Sequence, residues 1–222
     1  MRVVLLSDTH NHDFTRLNLP DGDLLIHAGD WTNRGTIGEL VRFNDYCGKA
    51  VEKYKYGIWV TPGNHDFLAQ TATTLCENLL TNCNLMINER VTFDGINFWF
   101  SPYTPFFCNW AFMEEIDELA TIWDKIPDDT NVLITHGPPK NILDVTVDDF
   151  MNVGCLELRK KIKRLPNLQL HAFGHIHSNY GKLIESGVTF ANVSSCDETY
   201  TLRNRPWVID IDTSGISFAE PI

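Results

Sequence analysis

Nowhere in these 222 residues is there an apolar run approaching the roughly 18 residues that a helix needs to cross a bilayer. The early run Val3-Val4-Leu5-Leu6 is too short for a secretory leader, and no small-residue cleavage site follows it. The expectation is a cytoplasmic protein without membrane contact. Positive charge is scarce as well. Eighteen Lys and Arg against 29 Asp and Glu leave a formal net charge of -11. That excess repels a long polyanion, which disfavours non-specific binding of duplex nucleic acid and hence a nuclease. A small phosphate ester still fits if bound cations make its site locally positive. The six cysteines (Cys47, Cys76, Cys83, Cys108, Cys155 and Cys196) never form Cys-x-x-Cys. They read as free buried thiols, not a disulfide frame or zinc ribbon. Repeats, low-complexity segments and linkers are absent, so residues 1–222 read as a single domain.

What is present is a core, with 43% hydrophobic residues. Short apolar runs at Arg2 to Leu6, Leu24 to Ile26, Gly57 to Val60, Asn131 to Thr135 and Leu168 to Phe173 have the texture of strands buried on both faces. Thr36 to about Lys53 has helical spacing, with Leu40, Val41, Phe43, Asn44 and Cys47 along one side. Phe67 to Leu80, Glu114 to Lys125 and the basic stretch Leu156 to Arg164 also read as helices. Val91 to Phe100 reads as a hairpin around Asp94-Gly95. An aromatic loop runs from Tyr103 to Phe112, and residues 140–153 form an irregular connection with the look of a flap. Four late runs, Tyr180 to Ile184, Val188 to Val193, Trp207 to Ile211 and Ile216 to Ala219, read as antiparallel strands. The combination predicts an α/β fold in four layers, two mixed β-sheets face to face with helices outside.

Each of the five early apolar runs ends in polar residues: Asp8 and His10, Asp30, Asn64, His136, and His175 with His177. Ligands of α/β folds bind beyond the carboxyl ends of strands. Asp8-x-His10 and His175-x-His177 place donors two residues apart, on one side of an extended segment. Carboxylate, imidazole and amide donors without thiolate suit Mn, Fe or Zn, with Mn favoured for activity. Seven donors are too many for one tetrahedral ion but suit two, bridged by Asp30 behind Gly29. In Gly63-Asn64-His65-Asp66, glycine allows a sharp turn, His65 is placed to move a proton, and Asp66 to hold its imidazole. Taken singly, each piece also reads as a turn, a cap or a core histidine. His12, His27 and His171 match no donor position; His12 reads as a surface residue, His27 as a strand residue, and His171 as either a support behind a metal ligand or a core residue.

The ordered set Asp8-Thr9-His10, Gly29-Asp30, Gly63-Asn64-His65-Asp66, His136 and Gly174-His175-Ile176-His177 resembles the calcineurin-like metallophosphoesterase superfamily. Thr135 to Pro139, Phe43-Asn44-Asp45, Val153-Gly154-Cys155, Tyr103-Thr104-Pro105 and Asn192 to Cys196 resemble its single-domain "metallophosphoesterase domain-containing" branch. The resemblance implies one metal on Asp8, His10, Asp30 and His177, and a second on Asp30, Asn64, His136 and His175. It implies a phosphodiesterase for small diesters such as cyclic nucleotides, with in-line attack by a bridging hydroxide and His65 as general acid. Animal members of that branch can carry glycine where this chain has His175, so a competent pair of metals is expected here. Tyr103, Phe107 and Trp110 offer a stacking wall for a base, with Asn109 near the phosphate. The same aromatics also read as ordinary core. A phosphomonoesterase acting on nucleotides or phosphoproteins, and a protein-binding scaffold whose metal site has lapsed, are the alternatives.

Overall fold

In the computed structural model, which describes residues 1–218, the burial of alternate residues sets the layering. Along β1 (Arg2–Leu6), Val3 and Leu5 face one side and Val4 and Leu6 the other, and all four are fully buried. Such a strand needs cover on both faces. It pairs in parallel with β2 (Leu24–His27), which pairs with β3 (Ile58–Val60) and then β4 (Asn84–Leu85). The hairpin β13 (Trp207–Asp212) and β14 (Gly215–Phe218) adds to the other edge in antiparallel register. The second six-stranded sheet has the order β11-β12-β10-β9-β6-β5. Its strands are β5 (Glu89–Phe93), β6 (Ile96–Ser101), β9 (Val132–Thr135), β10 (Leu170–Phe173), β11 (Gly181–Glu185) and β12 (Val188–Asn192). A small pair, β7 (Thr104–Pro105) and β8 (Met113–Glu114), brackets the aromatic loop.

Val3, Leu5, Leu24 and Ile26 meet Phe98, Phe100, Val132, Ile134 and Ala172 between the sheets. Val4, Leu6, Leu25 and Val60 pack outward on α1 (Ile37–Ala50) through Leu40, Phe43 and Cys47, and on α3 (Thr73–Leu79) through Cys76. Trp99, Leu133, Phe173 and Phe190 pack the opposite outer face on Leu119 and Trp123 of α4 (Ile116–Asp124) and Leu158 and Ile162 of α5 (Leu156–Ile162). The layers are helix, sheet, sheet, helix, as the sequence implied.

Several boundaries differ from expectation, each for a local reason. The buried side of α1 carries Glu39, not Val41, which is 42% exposed. Glu39 is drawn in by a capping box with Thr36. The helix stops at Ala50, and Val51–Lys53 tightens into a 3-10 turn. Phe67 to Leu80 is split into α2 (Phe67–Thr71) and α3 at Ala72. There the Thr71 and Thr73 hydroxyls donate to the carbonyls of Phe67 and Ala69, a local bonding that bends helices. Met113 and Glu114 are spent on β8, so α4 begins at Ile116. The late chain forms the two antiparallel hairpins expected, β11 with β12 and β13 with β14, but β12 also lies parallel to β10. Ala219, placed in the last strand by the sequence, lies outside the described residues. Five of the cysteines are buried free thiols, whereas Cys108 is exposed on the aromatic loop. Residues 140–153 hold no helix or strand beyond a Val145–Asn152 bridge. The Asp144 carboxylate pins that segment by accepting the backbone N–H groups of Asn141 and Gly154.

Candidate metal centre

The seven donor residues leave the carboxyl ends of β1, β2, β3, β9 and β10 and meet in one cleft. Their spacing works differently from the extended segments expected. Asp8, His10, Asp30 and His175 have φ of 51°, 41°, 57° and 70°, the left-handed region, and His177 opens a 3-10 turn. Successive turns, not an extended ribbon, bring the pairs to one side. Backbone of this kind costs on the order of 1–3 kcal/mol per residue and is held by its surroundings. The surroundings are dense. Asp8 accepts from the His175 N–H, the Ser194 hydroxyl and the Ser7 hydroxyl. A side chain on Gly174 would collide with Asp8 and Ser7, and one on Gly63 with Asp30.

Three-residue groups of donor atoms lie within 4.8 Å of one another: Asp8, His10 and His177; Asp30, His136 and His175; and His10, Asp30 and His65. Asp30 stands between the first two groups. Its Oδ2 is 3.3 Å from His136 Nε2 and 3.9 Å from the Nε2 atoms of His10 and His65. Asn64 Oδ1 lies 2.9 Å from His136 Nε2. His136 and His177 donate their Nδ1–H to the carbonyls of Ala28 and Asp197, both at 3.0 Å, which leaves Nε2 turned inward. His10 Nε2 and His177 Nε2 face each other at 3.0 Å with Asp8 and Asp30 beside them.

The charges of these groups follow from their packing. Burial takes His10 down to about 4 and His175 to about 3, so both are neutral donors near pH 7. Burial opposes a charge on His136 too, but Asp30 against it raises its pKa to about 9. Burial alone would raise Asp8; His177, then His136 and His10, hold it well below the usual carboxylate range. Inward nitrogens, low-lying carboxylates and an amide oxygen fit a pair of divalent cations, and a cation would displace the proton that Asp30 draws to His136.

Asp66 does not hold the His65 imidazole. Its carboxylate accepts instead from the N–H groups of Asp30, Gly63 and Thr32 and from the Thr32 hydroxyl, tying two donor loops together. Burial, then the nearby Asp30 charge, raises Asp66 to about 7. His65 is fixed by a residue the sequence reading passed over: Nδ1–H donates to the Asn33 carbonyl at 2.8 Å. Glu39 clamps that loop by accepting the N–H groups of Asn33, Arg34 and Thr36. The ring also lies against Trp110, with centroids 4.3 Å apart, and Arg34 sits over the same indole.

Of the four aromatic-loop residues singled out by sequence, Phe107 and Trp110 line the cleft. Tyr103 and Asn109 do not. Tyr103 is half-buried against Phe112, and Asn109 is exposed on the loop. Tyr200 was missed, because no strand end or motif marks it. Its ring lies against His10, His65 and His177. His27 and His171 are buried core residues bonded to Thr9 and Thr135, and His12 is exposed.

Two sheets that carry Asp, His and Asn donors on their carboxyl edge define a metal-dependent hydrolase. The chain belongs to the calcineurin-like phosphoesterase family, which it matches over residues 1–179. It is 35% identical to human metallophosphoesterase domain-containing protein 1 over 236 positions, which span 96% of this chain and 71% of that protein. It is 23% identical to a 3′,5′-cyclic-nucleotide phosphodiesterase of Nostoc, over 80% of this chain and 64% of that protein. A solved dimetal phosphatase from Danio rerio shares the fold with a TM-score of 0.58, at 8% identity and 98% coverage of each chain. Among the described residues no helix is long and apolar enough to cross a membrane.

Proposed function

We propose that this chain is a metal-dependent phosphodiesterase for small phosphodiesters of the nucleotide class, cyclic nucleotides among them. The observation that supports this most is His65. With Nδ1 committed to the Asn33 carbonyl, its Nε2 is left to face the cleft beside the paired donor groups. That is where a proton must arrive when an alkoxide leaves phosphorus. The cyclic-nucleotide phosphodiesterase relative supports the substrate class. The chain's acidity favours a small substrate over a long nucleic acid.

In this reading Asp8, His10, Asp30 and His177 hold one divalent cation, and Asp30, Asn64, His136 and His175 hold the other. Bound there, the pair supplies Lewis acidity, which neutralises phosphate oxygens and acidifies water. Manganese suits the donors, as do iron and zinc. The protein's own part is to aim and to protonate. The Asp66 carboxylate fixes the loops of Asp30 and Asn64, the Asn33 carbonyl aims His65, and His65 Nε2 passes its proton to the leaving oxygen. Free thiols throughout suit a reducing compartment, consistent with the cytoplasm.

The test is hydrolysis of bis-p-nitrophenyl phosphate and p-nitrophenyl phosphate by Mn²⁺-loaded protein, with His136→Ala as control. Faster metal-dependent cleavage of the diester is expected. Preference for the monoester would make the chain a phosphatase. No activity above the control, with metal bound, would leave a binding scaffold.

A further inference from the structure

The cleft has two lobes, and Tyr200 stands between them. One lobe, about 170 Å³, runs past Asp30 and His65 to Phe107, Trp110 and Met113. The other, about 200 Å³, runs past Ile176 to Thr146, Val147, Asp148, Ser178 and Glu198. His175, His177 and Tyr200 line both. The Tyr200 ring centroid is 4.6 Å from that of His10 and 5.0 Å from that of His177. This placement is built in. Tyr200 has φ 60°, a left-handed conformation unusual for a bulky residue, and such outliers persist where the surroundings enforce them. Here the Asp197 carboxylate accepts the N–H groups of Thr199 and Thr201, and the Tyr200 carbonyl accepts from His12 at 3.0 Å.

We infer that the two lobes are separate subsites for the two ester arms of an open-chain phosphodiester. One arm is an aromatic alcohol such as a nucleoside, which is released, and the other a small hydroxylated alcohol, which stays on phosphorus. This rests on the phosphodiesterase reading and narrows it. The phosphate belongs at the shared histidines. His65 lines only the lobe with Phe107 and Trp110, so the arm in that lobe receives the proton. Flat apolar walls there suit an aromatic group. The opposite lobe is walled by Val147, Ile176 and Tyr200 and carries the Asp148 and Glu198 carboxylates, which accept hydroxyl protons and repel a second phosphate, while the Thr146 and Ser178 hydroxyls are already spent on Asp149 and the Val145 carbonyl. A cyclic nucleotide carries both ester bonds on one sugar, so it fills one lobe, leaves the other empty and ranks as the poorer of two substrates.

The reaction balances as simple hydrolysis. A water oxygen joins phosphorus, and the bond from phosphorus to the aromatic alcohol's oxygen breaks. His65 Nε2 gives that oxygen a proton and regains one of the water's two protons by way of solvent, while the other stays on the new phosphate oxygen or ionises from it. The second ester bond stays intact.

The probe is the glyceryl ester of adenosine 5′-monophosphate, whose two arms are both primary alcohols of similar leaving ability. It is incubated with Mn²⁺-loaded protein in heavy-oxygen water, beside 3′,5′-cyclic AMP and bis-p-nitrophenyl phosphate. Adenosine and labelled glycerol phosphate are expected to exceed AMP and glycerol by about tenfold. Phe107→Ala, a change at an exposed residue, is expected to bring the ratio towards unity. Equal products from the wild type, the reverse ratio, an unchanged ratio in the variant, or a preference for cyclic AMP each overturn the assignment. Cleavage of bis-p-nitrophenyl phosphate without cleavage of the glyceryl ester overturns it too, while sparing the phosphodiesterase reading. Failure on every diester overturns both.

Discussion

On the floor of the cleft, five donor residues are at most 5% exposed: Asp8, His10, Asp30, Asn64 and His136. They stand on strand ends whose backbone groups are tied to neighbouring loops. On the rim, Phe106 and Phe107 are 53% and 68% exposed, on a loop held by the two-residue strands β7 and β8. Much of the floor is over-determined: Asp8, Asp30 and His136 are each gripped by several groups, and the floor tolerates left-handed backbone at Asp8, His10 and Asp30. The rim is free to differ between relatives, and recognition tends to reside in such loops. The contrast teaches that floor substitutions should act on metal and chemistry together, and substitutions of exposed rim residues that line a lobe on substrate choice.

The largest effect should come from His136→Ala, which removes the ring that touches both Asp30 and Asn64. A loss of about a thousandfold in kcat/KM is expected, with less metal retained after dialysis. Full metal content with full activity would break the assignment of this floor. His65→Ala should come next. It is expected to keep its metal yet lose about a hundredfold on alkyl esters, the lower end of what a general acid contributes, and far less on p-nitrophenyl esters, whose leaving group needs no proton. Equal losses on both classes would remove His65 as the acid.

How legible each region was follows from the same contrast. The floor was readable because a strand end followed by Asp, His or Asn recurs five times, and because Gly29, Gly63 and Gly174 precede donors where a side chain would collide. The two-sheet architecture followed from runs such as Val3 to Leu6, apolar on both faces. What sequence could not supply was the partner across a loop. Asp66 is next to His65 in the chain, yet Asn33, 32 residues away, holds the ring. Tyr200 arrives by a turn around Asp197 that no apolar period marks. Parallel pairing of β12 with β10 was hidden because a hairpin with β11 and a parallel neighbour leave the same five-residue buried run.

Asp66→Asn tests the hidden wiring at a smaller scale. The change sets an amide N–H₂ against donors that now find carboxylate oxygens, so at least one buried donor loses its acceptor. Metal affinity is expected to fall about 10–100-fold, with a lower Tm and no change in the preference between leaving groups. A metal titration matching the wild type would show that the Asp30 and Asn64 loops hold themselves.

The finest comparison lies within the rim, where three residues at most six positions apart face three different surroundings. Tyr103 packs beside Phe112, so Tyr103→Ala should act on stability, by about 2–4 kcal/mol, and on turnover only through unfolding. Phe107 lines the cleft but is widely exposed, so Phe107→Ala should raise KM for an aromatic diester a few-fold, at the scale of about 1 kcal/mol, with kcat and Tm held. Asn109 is exposed and lines neither lobe, so Asn109→Ala should leave KM, kcat and Tm within about twofold or experimental error. The three readouts separate because burial decides stability and lobe-lining decides KM. An Asn109 effect as large as that of Phe107 would mean the loop closes over bound substrate and carries Asn109 inward with it.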